Sequence, residues 1–257
     1  MIPTYNEREN ITRLLPSIQV LETPYAIDIL VVDSDSPDET GKVVDEMRTR
    51  MKNLYVYHQP KKLGLGKAYL DGFKYMREQI PTQYDVVITM DADFSHHPRY
   101  LPEMLAKLRD HDLVVGSRYI PGGGFENWPA QRICLSRFAN LYAKMLTGVP
   151  LNDLTSGFHC FRREALRRIL KFKIMMKAEG YAFLIELKFL ARKEGFRMAE
   201  VPIIFCDRTV GASKISKRVI LESALIPWKC LYDRFWHAYR LKRRRKLAKL
   251  TEDHDVF

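Results

Sequence analysis

The chain has 257 residues, a net charge of +11, 46% hydrophobic residues and 28% charged residues, which suits one substantial α/β domain or two small ones and excludes wholesale disorder. Its four cysteines (Cys134, Cys160, Cys206 and Cys230) form no CxxC pair, which excludes a zinc ribbon and a disulfide scaffold and favours a reducing compartment. We expect no membrane span and no signal peptide, because no stretch approaches the roughly 20 apolar residues of a spanning helix and residues 1–3 lack a basic, then apolar, pattern.

Short apolar runs alternate with amphipathic stretches over the first two-thirds of the chain, which is typical of βαβ units. The pattern predicts strands at 27–32, 53–58, 85–90, 113–115 and 200–205, and helices at 8–22, 41–51, 67–79, 98–109, about 162–171 and 179–194. A flexible hinge is predicted at 121–124 and a turn at 153–158. Since only two residues precede the loop Pro3–Glu7, the first strand is expected to be stunted, or the chain to be a shortened version of a longer protein.

The sharpest chemical feature is the pair Asp91 and Asp93, which follows the apolar stretch Val86–Met90. Side chains i and i+2 of an extended chain point the same way, so both carboxylates are expected at the strand's carboxyl end, where open α/β sheets bind ligands. Paired carboxylates suit Mg²⁺ or Mn²⁺, which neutralises a diphosphate. A solvated acidic turn is the plainer alternative. The adjacent His96–His97 lack a third ligand at zinc spacing, so no zinc site is predicted.

A second acidic cluster, Asp33–Asp38, also follows a predicted buried strand. Its later residues fit a helix N-cap and an Asx turn, whereas Asp33 at the strand end is expected to be partly buried. The glycine-rich segment Lys61–Lys67 opens a predicted helix, whose amides can hold an anion. It is neither a P-loop nor a GxGxxG motif, because Ala68 replaces the metal-binding Ser or Thr and Tyr69 replaces the third glycine.

Nine motifs follow one another along residues 2–226: PTYNE (3–7), VVDSDSPDET (31–40), KKLGLGKAY (61–69), MDADFSHHP (90–98), GSRY (116–119), SRFAN (136–140), DLTSGF (153–158), GYAF (180–183) and EVPIIFCDRTVGASK (200–214). Together they resemble family-2 glycosyltransferases of the GT-A fold and, among these, the dolichol-phosphate mannosyltransferases. Each motif alone is modest. The combination of DADFSHHP, LTSGF and the DR-x₂-G-x-SK ending is specific to this group.

The resemblance implies a GT-A domain over residues 1–215, with a Rossmann-like, mostly parallel sheet and helices on both faces. It implies transfer of mannose from GDP-mannose to dolichyl phosphate at the cytosolic face of the endoplasmic reticulum, with Mg²⁺ or Mn²⁺ as cofactor. The motif positions assign the nucleotide sugar to Pro3, Tyr5, Glu7, Val32, Ser34, Asp91, Ala92, Asp93, Arg118, Arg208 and Lys214. They assign the acceptor phosphate to Arg118, Arg132 and Ser136, the metal to Asp91, Asp93 and Ser95, and catalysis to Asp91, Asp93 and Arg118.

This chain departs from the family pattern at three positions. Ser34 stands where the family has the second of two consecutive acids, Asp35 where glycine is expected, and Leu184 where glutamine is common. The position that contacts the base therefore falls on Ser34, and a donor other than GDP-mannose stays open. A phosphate monoester is ionised near neutral pH and needs no protein base to attack an anomeric carbon, which agrees with the lack of a Ser-His-Asp triad or a usable Cys-His pair. A single displacement inverts α-mannose to a β-linked product.

Two other classes of function remain open from the sequence. Among enzymes, the alternatives are a UDP-glucose-dependent dolichyl-phosphate glucosyltransferase and a bacterial polyprenyl-phosphate glycosyltransferase. Outside enzymes, the run Lys242–Lys246 allows a basic nucleic-acid-binding protein. The chain has no recognisable RNA- or DNA-binding motif, and nucleic-acid binding leaves Asp91 and Asp93 unexplained, so we expect no nucleic-acid partner.

Residues 216–257 are predicted to form an amphipathic helix followed by a basic tail. An apolar stripe recurs at helical spacing through Leu221, Leu225, Trp228, Tyr232, Phe235 and Tyr239, and seven Lys or Arg fall within 240–249. Pro227 is expected to kink or restart the helix. For 232–249 this pattern favours attachment to an anionic membrane surface, or to small membrane-embedded regulatory subunits. For 221–228, packing against the catalytic domain is an equal alternative.

Overall fold

The computed structural model describes residues 1–80, 83–171, 180–206 and 224–236. The strands are β1 (Ile2–Thr4), β2 (Ile29–Asp33), β3 (Leu54–His58), β4 (Val86–Thr89), β5 (Leu113–Ser117), β6 (Gly124–Glu126), β7 (His159–Arg162), β8 (Met198–Pro202) and β9 (Ile204–Cys206). The helices are α1 (Arg8–Gln19), α2 (Thr40–Arg48), α3 (Leu65–Gln79), α4 (Leu101–Leu108, after a 3₁₀ turn at Pro98–Tyr100), α5 (Ala130–Thr147), α6 (Arg163–Leu170), α7 (Tyr181–Lys193) and α8 (224–236).

The strands form a mixed, mostly parallel sheet. β1, β2 and β3 pair in parallel, and so do β5 and β8, whereas β7 lies between β4 and β5 and is antiparallel to both. The Met1 amine donates to the Ile88 carbonyl at 2.8 Å and the Met90 amide donates to the Met1 carbonyl at 3.2 Å, which places β1 parallel beside β4. The spatial order is therefore β3–β2–β1–β4–β7–β5–β8. β6 and β9 form a separate parallel pair.

Helices cover both faces of this sheet. β2 is buried along its whole length, with Leu30 and Val32 packed on one face and Ile29 and Val31 on the other. The first face packs against α3 and α7, and the second against α1 and α4. A strand buried on both sides reads as an unbroken apolar run, which is the pattern found at 29–32. The predicted GT-A-like architecture is confirmed, and its parallel strands β1, β2, β4 and β5 place their carboxyl ends along one edge.

Several predicted boundaries are wrong. β4 ends at Thr89 rather than at residue 90, and the predicted hinge at 121–124 ends in β6, which begins at Gly124. The predicted strand 200–205 is two strands, because the chain leaves β5 at Pro202 and begins to pair with β6 at Ile204. The short antiparallel β7 was not predicted. β1 is short, as expected, at three residues.

α8 packs on the domain with the face opposite to the predicted stripe. Ile226 and Cys230 contact the core, while Trp228, Tyr232 and Phe235 are more than half exposed. Hydrogen bonds hold the helix to α5 and α7, from Tyr142 Oη to the Ala224 carbonyl, from Lys229 Nζ to Glu186 Oε1 and from Lys193 Nζ to Asp233 Oδ2. In the part of the chain that the structure describes, no helix is both long and apolar enough to cross a membrane. The predicted boundary at 215/216, Leu221, Tyr239 and the run 240–249 lie outside the described residues.

Candidate active site

The acidic pair lies in a loop after β4 rather than in the strand itself. The prediction that Asp91 and Asp93 point the same way because they lie in an extended strand is therefore wrong. Hydrogen bonds within the loop orient them instead. Asp93 is 8% exposed, and its Oδ1 accepts from the Ser95 amide at 3.1 Å and from Ser95 Oγ at 2.5 Å. The Asp91 side chain is 28% exposed, and Ala92 between them is buried. The loop thus keeps one carboxylate rigid and opens the other to solvent.

The buried His96 side chain holds this loop in place. Its Nδ1 accepts from the Asp91 amide at 3.0 Å, and its ring stacks on Phe158 with centroids 5.0 Å apart. Burial lowers the pKa of His96, although the carboxylates of Asp91 and Asp93 act in the opposite direction. Because Nδ1 accepts from the Asp91 amide it carries no proton, so its 3.6 Å approach to Asp91 Oδ2 is not an ion pair. Among the described residues no group of three or more His, Cys, Asp or Glu is placed to hold a metal.

The ends of β1 and β2 form the neighbouring part of the same edge. Thr4 Oγ1 donates to Asp33 Oδ1 at 3.2 Å, and Ser36 donates to the same carboxylate from both its amide and its hydroxyl. Asp33 is 3% exposed, so the expected burial of this acid is confirmed. Asp35 takes a positive φ of 57°, the conformation for which glycine is favoured and which aspartate enters more readily than most other residues.

The predicted nucleotide-contacting residues at this edge are held in different ways. Ser34 Oγ donates to Gln59 Oε1 at 2.8 Å, and Lys62 Nζ lies 3.8 Å from the centre of the Tyr5 ring. The Glu7 amide donates to Thr40 Oγ1 at 3.0 Å. Pro3 pairs with Val32, whose side chain is fully buried, so that Val32 can meet a ligand through its backbone alone.

Arg118, at the end of β5, is held by a buried carboxylate. Its backbone amide, Nε and one terminal guanidinium nitrogen donate to Asp153 at 3.1, 2.7 and 2.7 Å, and the same terminal nitrogen reaches Thr155 Oγ1 at 2.8 Å. Burial alone raises the pKa of Asp153, but the Arg118 guanidinium outweighs it and brings this pKa below its ordinary value. A bidentate pair with Asp153 at 0% exposure fixes the guanidinium in one orientation.

Aromatic rings surround the two arginines assigned to the acceptor. The Arg118 guanidinium lies 5.2 to 5.7 Å from the ring centres of Tyr119, Phe125 and Phe205, and that of Arg132 lies 3.7 Å from Trp128. Trp128 stacks on Phe125 at 4.7 Å. Ser136 Oγ and Tyr119 Oη are 2.5 Å apart, which ties α5 to the end of β5. Cation–π contacts of this kind attract and orient the guanidinium groups.

Phe205 and the turn at 153–157 connect the acidic and basic parts. The Phe205 ring contacts both Arg118 and His96, and His96 is bonded to the Asp91 amide. A Cβ on Gly157 would lie 3.5 Å from Asp91 Oδ1, so the turn that pairs with Arg118 also touches the acidic loop. The structure therefore brings Asp91, Asp93, Arg118, Arg132 and Ser136 into one region.

Comparison with known proteins identifies the family of this chain. Residues 1–170 match the model of the glycosyl transferase family 2. The chain belongs to this family. It is 41% identical over 225 residues to the polyprenol monophosphomannose synthase of Mycolicibacterium smegmatis, covering 87% of this chain and 82% of that protein. It is 39% identical over 225 residues to the undecaprenyl-phosphate mannosyltransferase of Micrococcus luteus, covering 88% and 90%.

Solved structures of glucosyl-3-phosphoglycerate synthase from Mycobacterium tuberculosis share the fold of this family-2 glycosyltransferase. One, in complex with phosphoglyceric acid, is 21% identical with a TM-score of 0.58, covering 89% of this chain and 78% of that one. Another, with the same identity and coverage and a TM-score of 0.57, is in complex with Mn²⁺, uridine-diphosphate-glucose and phosphoglyceric acid. Both of the named relatives are bacterial proteins, and their names refer to polyprenol and to undecaprenyl phosphate.

Sequence reasoning missed the residues that hold this site together. Asn140 Oδ1 accepts from the Leu154 amide at 2.8 Å, and the Glu200 carboxylate accepts from the amides of Asn152 and Asp153 at 2.9 Å. Asn140 lies in the SRFAN motif and Asp153 in DLTSGF. The motifs therefore contain these residues, but they do not indicate which residues they contact. Arg208 and Lys214, predicted to contact the donor, lie outside the described residues.

Proposed function

We propose that this family-2 glycosyltransferase transfers mannose from GDP-mannose to a polyprenyl phosphate, with inversion, to give a β-mannosyl phosphate lipid. The observation that carries the proposal is the meeting of an acidic loop and two oriented arginines at the carboxyl edge of the sheet. The named relatives support mannosyl transfer to an isoprenoid phosphate. Dolichyl phosphate is the acceptor that the motifs favour, and undecaprenyl phosphate is the alternative that the bacterial relatives favour.

The donor side of the proposal is built from carboxylates. Asp91 and Asp93 supply the hard oxygen donors that Mg²⁺ and Mn²⁺ prefer, so the pair fits a divalent cation, and the fold relatives include one solved with Mn²⁺. A cation bound there neutralises the diphosphate of the leaving group. In this assignment Ser95 holds Asp93 through its hydroxyl, and its predicted role as a third ligand stays a prediction.

The acceptor side requires orientation rather than a base. An oxygen of the lipid phosphate attacks C1 of the mannosyl group, the C1–O bond to the diphosphate breaks, and GDP leaves with the electron pair. Arg118 and Arg132 place positive charge beside the attacking phosphate. Ser136 can donate a hydrogen bond from its hydroxyl to the same phosphate. The phosphate is already ionised near neutral pH. Electrostatic stabilisation by groups that are oriented in advance is the contribution this site offers.

A screen of donors against acceptors tests the proposal. GDP-mannose and UDP-glucose are each offered with dolichyl phosphate and with undecaprenyl phosphate, with and without Mg²⁺ or Mn²⁺, and the glycolipid is quantified. We expect transfer from GDP-mannose that depends on the cation. Preferred transfer from UDP-glucose assigns the glucosyltransferase alternative, and Ser34 is then the first residue to examine. Absence of transfer from every donor contradicts the proposal.

We propose further that the enzyme docks peripherally on a membrane through α5 and α8, on the cytosolic face of the endoplasmic reticulum if the lipid is dolichyl phosphate. Leu135, Phe138, Leu141 and Met145 on α5 are each more than half exposed, and so are Leu225, Trp228, Tyr232 and Phe235 on α8. The Tyr142 bond to Ala224 joins the two helices. Exposed apolar side chains grouped on adjacent helices mark interaction surfaces, and an enzyme with a lipid acceptor must reach the bilayer.

Replacement of Trp228, Tyr232 and Phe235 by serine tests the docking. We expect this variant to lose sedimentation with vesicles of mixed zwitterionic and anionic lipid, yet to retain activity on a short water-soluble polyprenyl phosphate. The matched control replaces Val20 and Tyr25, which are exposed elsewhere, by serine and is expected to sediment normally. Unchanged sedimentation of the triple variant contradicts docking through α8.

A further inference from the structure

Lys188 is a basic residue buried in the middle of α7. It lies in α7 between Leu187 and Phe189, and its side chain is 0% exposed. Lysine is almost never fully buried unless partner groups satisfy it, because removing an ammonium group from water costs several kcal/mol. A residue of this type at this position therefore calls for a compensating set of contacts.

The contacts of Lys188 lie on the turn beneath the arginine. Its Nζ donates to the carbonyls of Leu154 at 3.0 Å and Ser156 at 2.8 Å. These carbonyls flank Thr155, whose hydroxyl accepts from the Arg118 guanidinium at 2.8 Å. The turn therefore presents its carbonyls inward to the lysine and its side chains outward to the arginine.

The surrounding charges agree with this geometry. Burial lowers the pKa of Lys188 to about 7, while the carboxylates of Asp153 and Glu200 act in the opposite direction and Arg118 adds to the lowering. His159, on β7, also lies close enough to Lys188 for the ammonium to lower its pKa. Near neutral pH the amine donates to the turn whether or not it carries its extra proton.

We propose that Lys188 is a positioning residue for the acceptor side of the site: by holding the carbonyls of Leu154 and Ser156, it fixes the turn that orients Arg118. The inference rests on the proposed function for the role of Arg118. No substrate contact is predicted for α7. In this proposal α7 stabilises the turn from the core side. Loss of the lysine donors leaves two buried carbonyls unsatisfied, and the turn then relaxes toward other donors.

Three variants separate positioning from general stability. Lys188→Met keeps most of the length and removes all donors, Lys188→Gln keeps an amide donor, and Leu190→Ala removes buried volume from the same helix without removing a donor. We expect Lys188→Met to raise the KM for polyprenyl phosphate about 10-fold, with the KM for GDP-mannose within about twofold of wild type. The KM of Lys188→Gln for polyprenyl phosphate should lie between those of Lys188→Met and wild type. Leu190→Ala should lower Tm and leave both KM values unchanged.

A second readout is independent of activity. Hydrogen exchange at the amides of residues 154–158 should be about 10-fold faster in Lys188→Met than in wild type and unchanged in Leu190→Ala. If wild type transfers mannose but Lys188→Met keeps both the acceptor KM and the wild-type exchange rates, the positioning role is wrong. If wild type transfers no sugar, the proposed function fails, and the exchange rates alone decide whether Lys188 holds the turn. A fall in kcat and Tm with unchanged KM and exchange assigns a merely structural role and overturns the inference.

Discussion

The acidic and basic parts of this site are built in opposite ways. Asp91 and Asp93 belong to one short loop, and the residues that orient them, Ser95 and His96, follow within five positions. Arg118 is held by Asp153 and Thr155, more than 30 positions away, and these in turn by residues of other elements. Local hydrogen bonds suffice to orient the acidic loop, in which Asp93 is 8% exposed and the Asp91 side chain 28%. A buried guanidinium requires a carboxylate brought by the tertiary fold.

This contrast has an energetic consequence. Removal of one member of a buried ion pair leaves an uncompensated charge and costs about 3–5 kcal/mol, whereas substitution in the acidic loop disturbs short-range bonds. Activity and stability should therefore separate in the acidic loop and fall together around Arg118. Variants in the two regions can test this difference.

The largest effect is expected at Asp93. Asp93→Asn removes a charge from the proposed cation site but keeps the shape and an oxygen that can accept from Ser95, so turnover should fall about 1000-fold with Tm nearly unchanged. Steady-state kinetics and calorimetry measure both quantities. Asp35→Asn is the matched control, because it removes an exposed charge from the same edge of the sheet at a φ of 57° that asparagine tolerates. Normal turnover of Asp93→Asn would falsify the assignment.

A smaller and more selective effect is expected at Arg132. Its guanidinium stacks on Trp128, and charge-assisted hydrogen bonds to a phosphate contribute about 1.5–3 kcal/mol. Arg132→Gln should therefore raise the KM for polyprenyl phosphate about 10- to 100-fold and change that for GDP-mannose less than threefold. Arg137→Gln, at an exposed position on the same helix, is the control. If the KM for GDP-mannose rises instead, the donor and acceptor assignments of the arginines are reversed.

The same contrast explains how much the sequence could reveal. The parallel strands and Asp91–Asp93 were predictable because the apolar run and the acids that follow it are neighbours in the chain. β4 ends at Thr89, earlier than predicted, and from Asp91 onward hydrogen bonds within the loop replace the strand pairing. The proposed roles of Arg132 and Ser136 come from the resemblance rather than from any local pattern.

Non-local pairings were not predictable from one sequence. Asp153 reads as a turn residue, and nothing near it in the chain indicates that it pairs with Arg118. Lys188 reads as one more polar position of a helix, although it is fully buried. β7 was missed because four residues after a turn give too short a pattern to separate a strand from the start of the next helix.

Gly157 joins the two regions, and its substitution should have an intermediate effect. A Cβ there would lie 3.1 Å from Tyr69 Oη, which must shift by a few tenths of an ångström, and 3.5 Å from Asp91 Oδ1, which is an ordinary contact. We expect Gly157→Ala to lower kcat about 10-fold, because small displacements of reacting groups are costly. Adding Tyr69→Phe should restore the activity in part. Complete restoration would mean that the turn does not displace Asp91, and the two regions would then be mechanically independent.

The smallest effect is expected at His159 and concerns the pH dependence of stability. His159 is fully buried, its Nδ1 lies 2.8 Å from Thr89 Oγ1, and burial holds its pKa well below the ordinary value. The unfolded ring binds a proton below about pH 6.5 while the native ring does not, so the free energy of unfolding falls as pH falls from about 6.5 toward the native pKa. Each such histidine contributes a slope of up to about 1.4 kcal/mol per pH unit. His159→Phe should remove one histidine's share of that slope between pH 6.5 and 5, measured by urea unfolding. The control Thr89→Val removes the hydrogen bond but keeps the ring, so it should lower stability without changing the slope. An unchanged slope in His159→Phe would show that the native ring is protonated in this pH range.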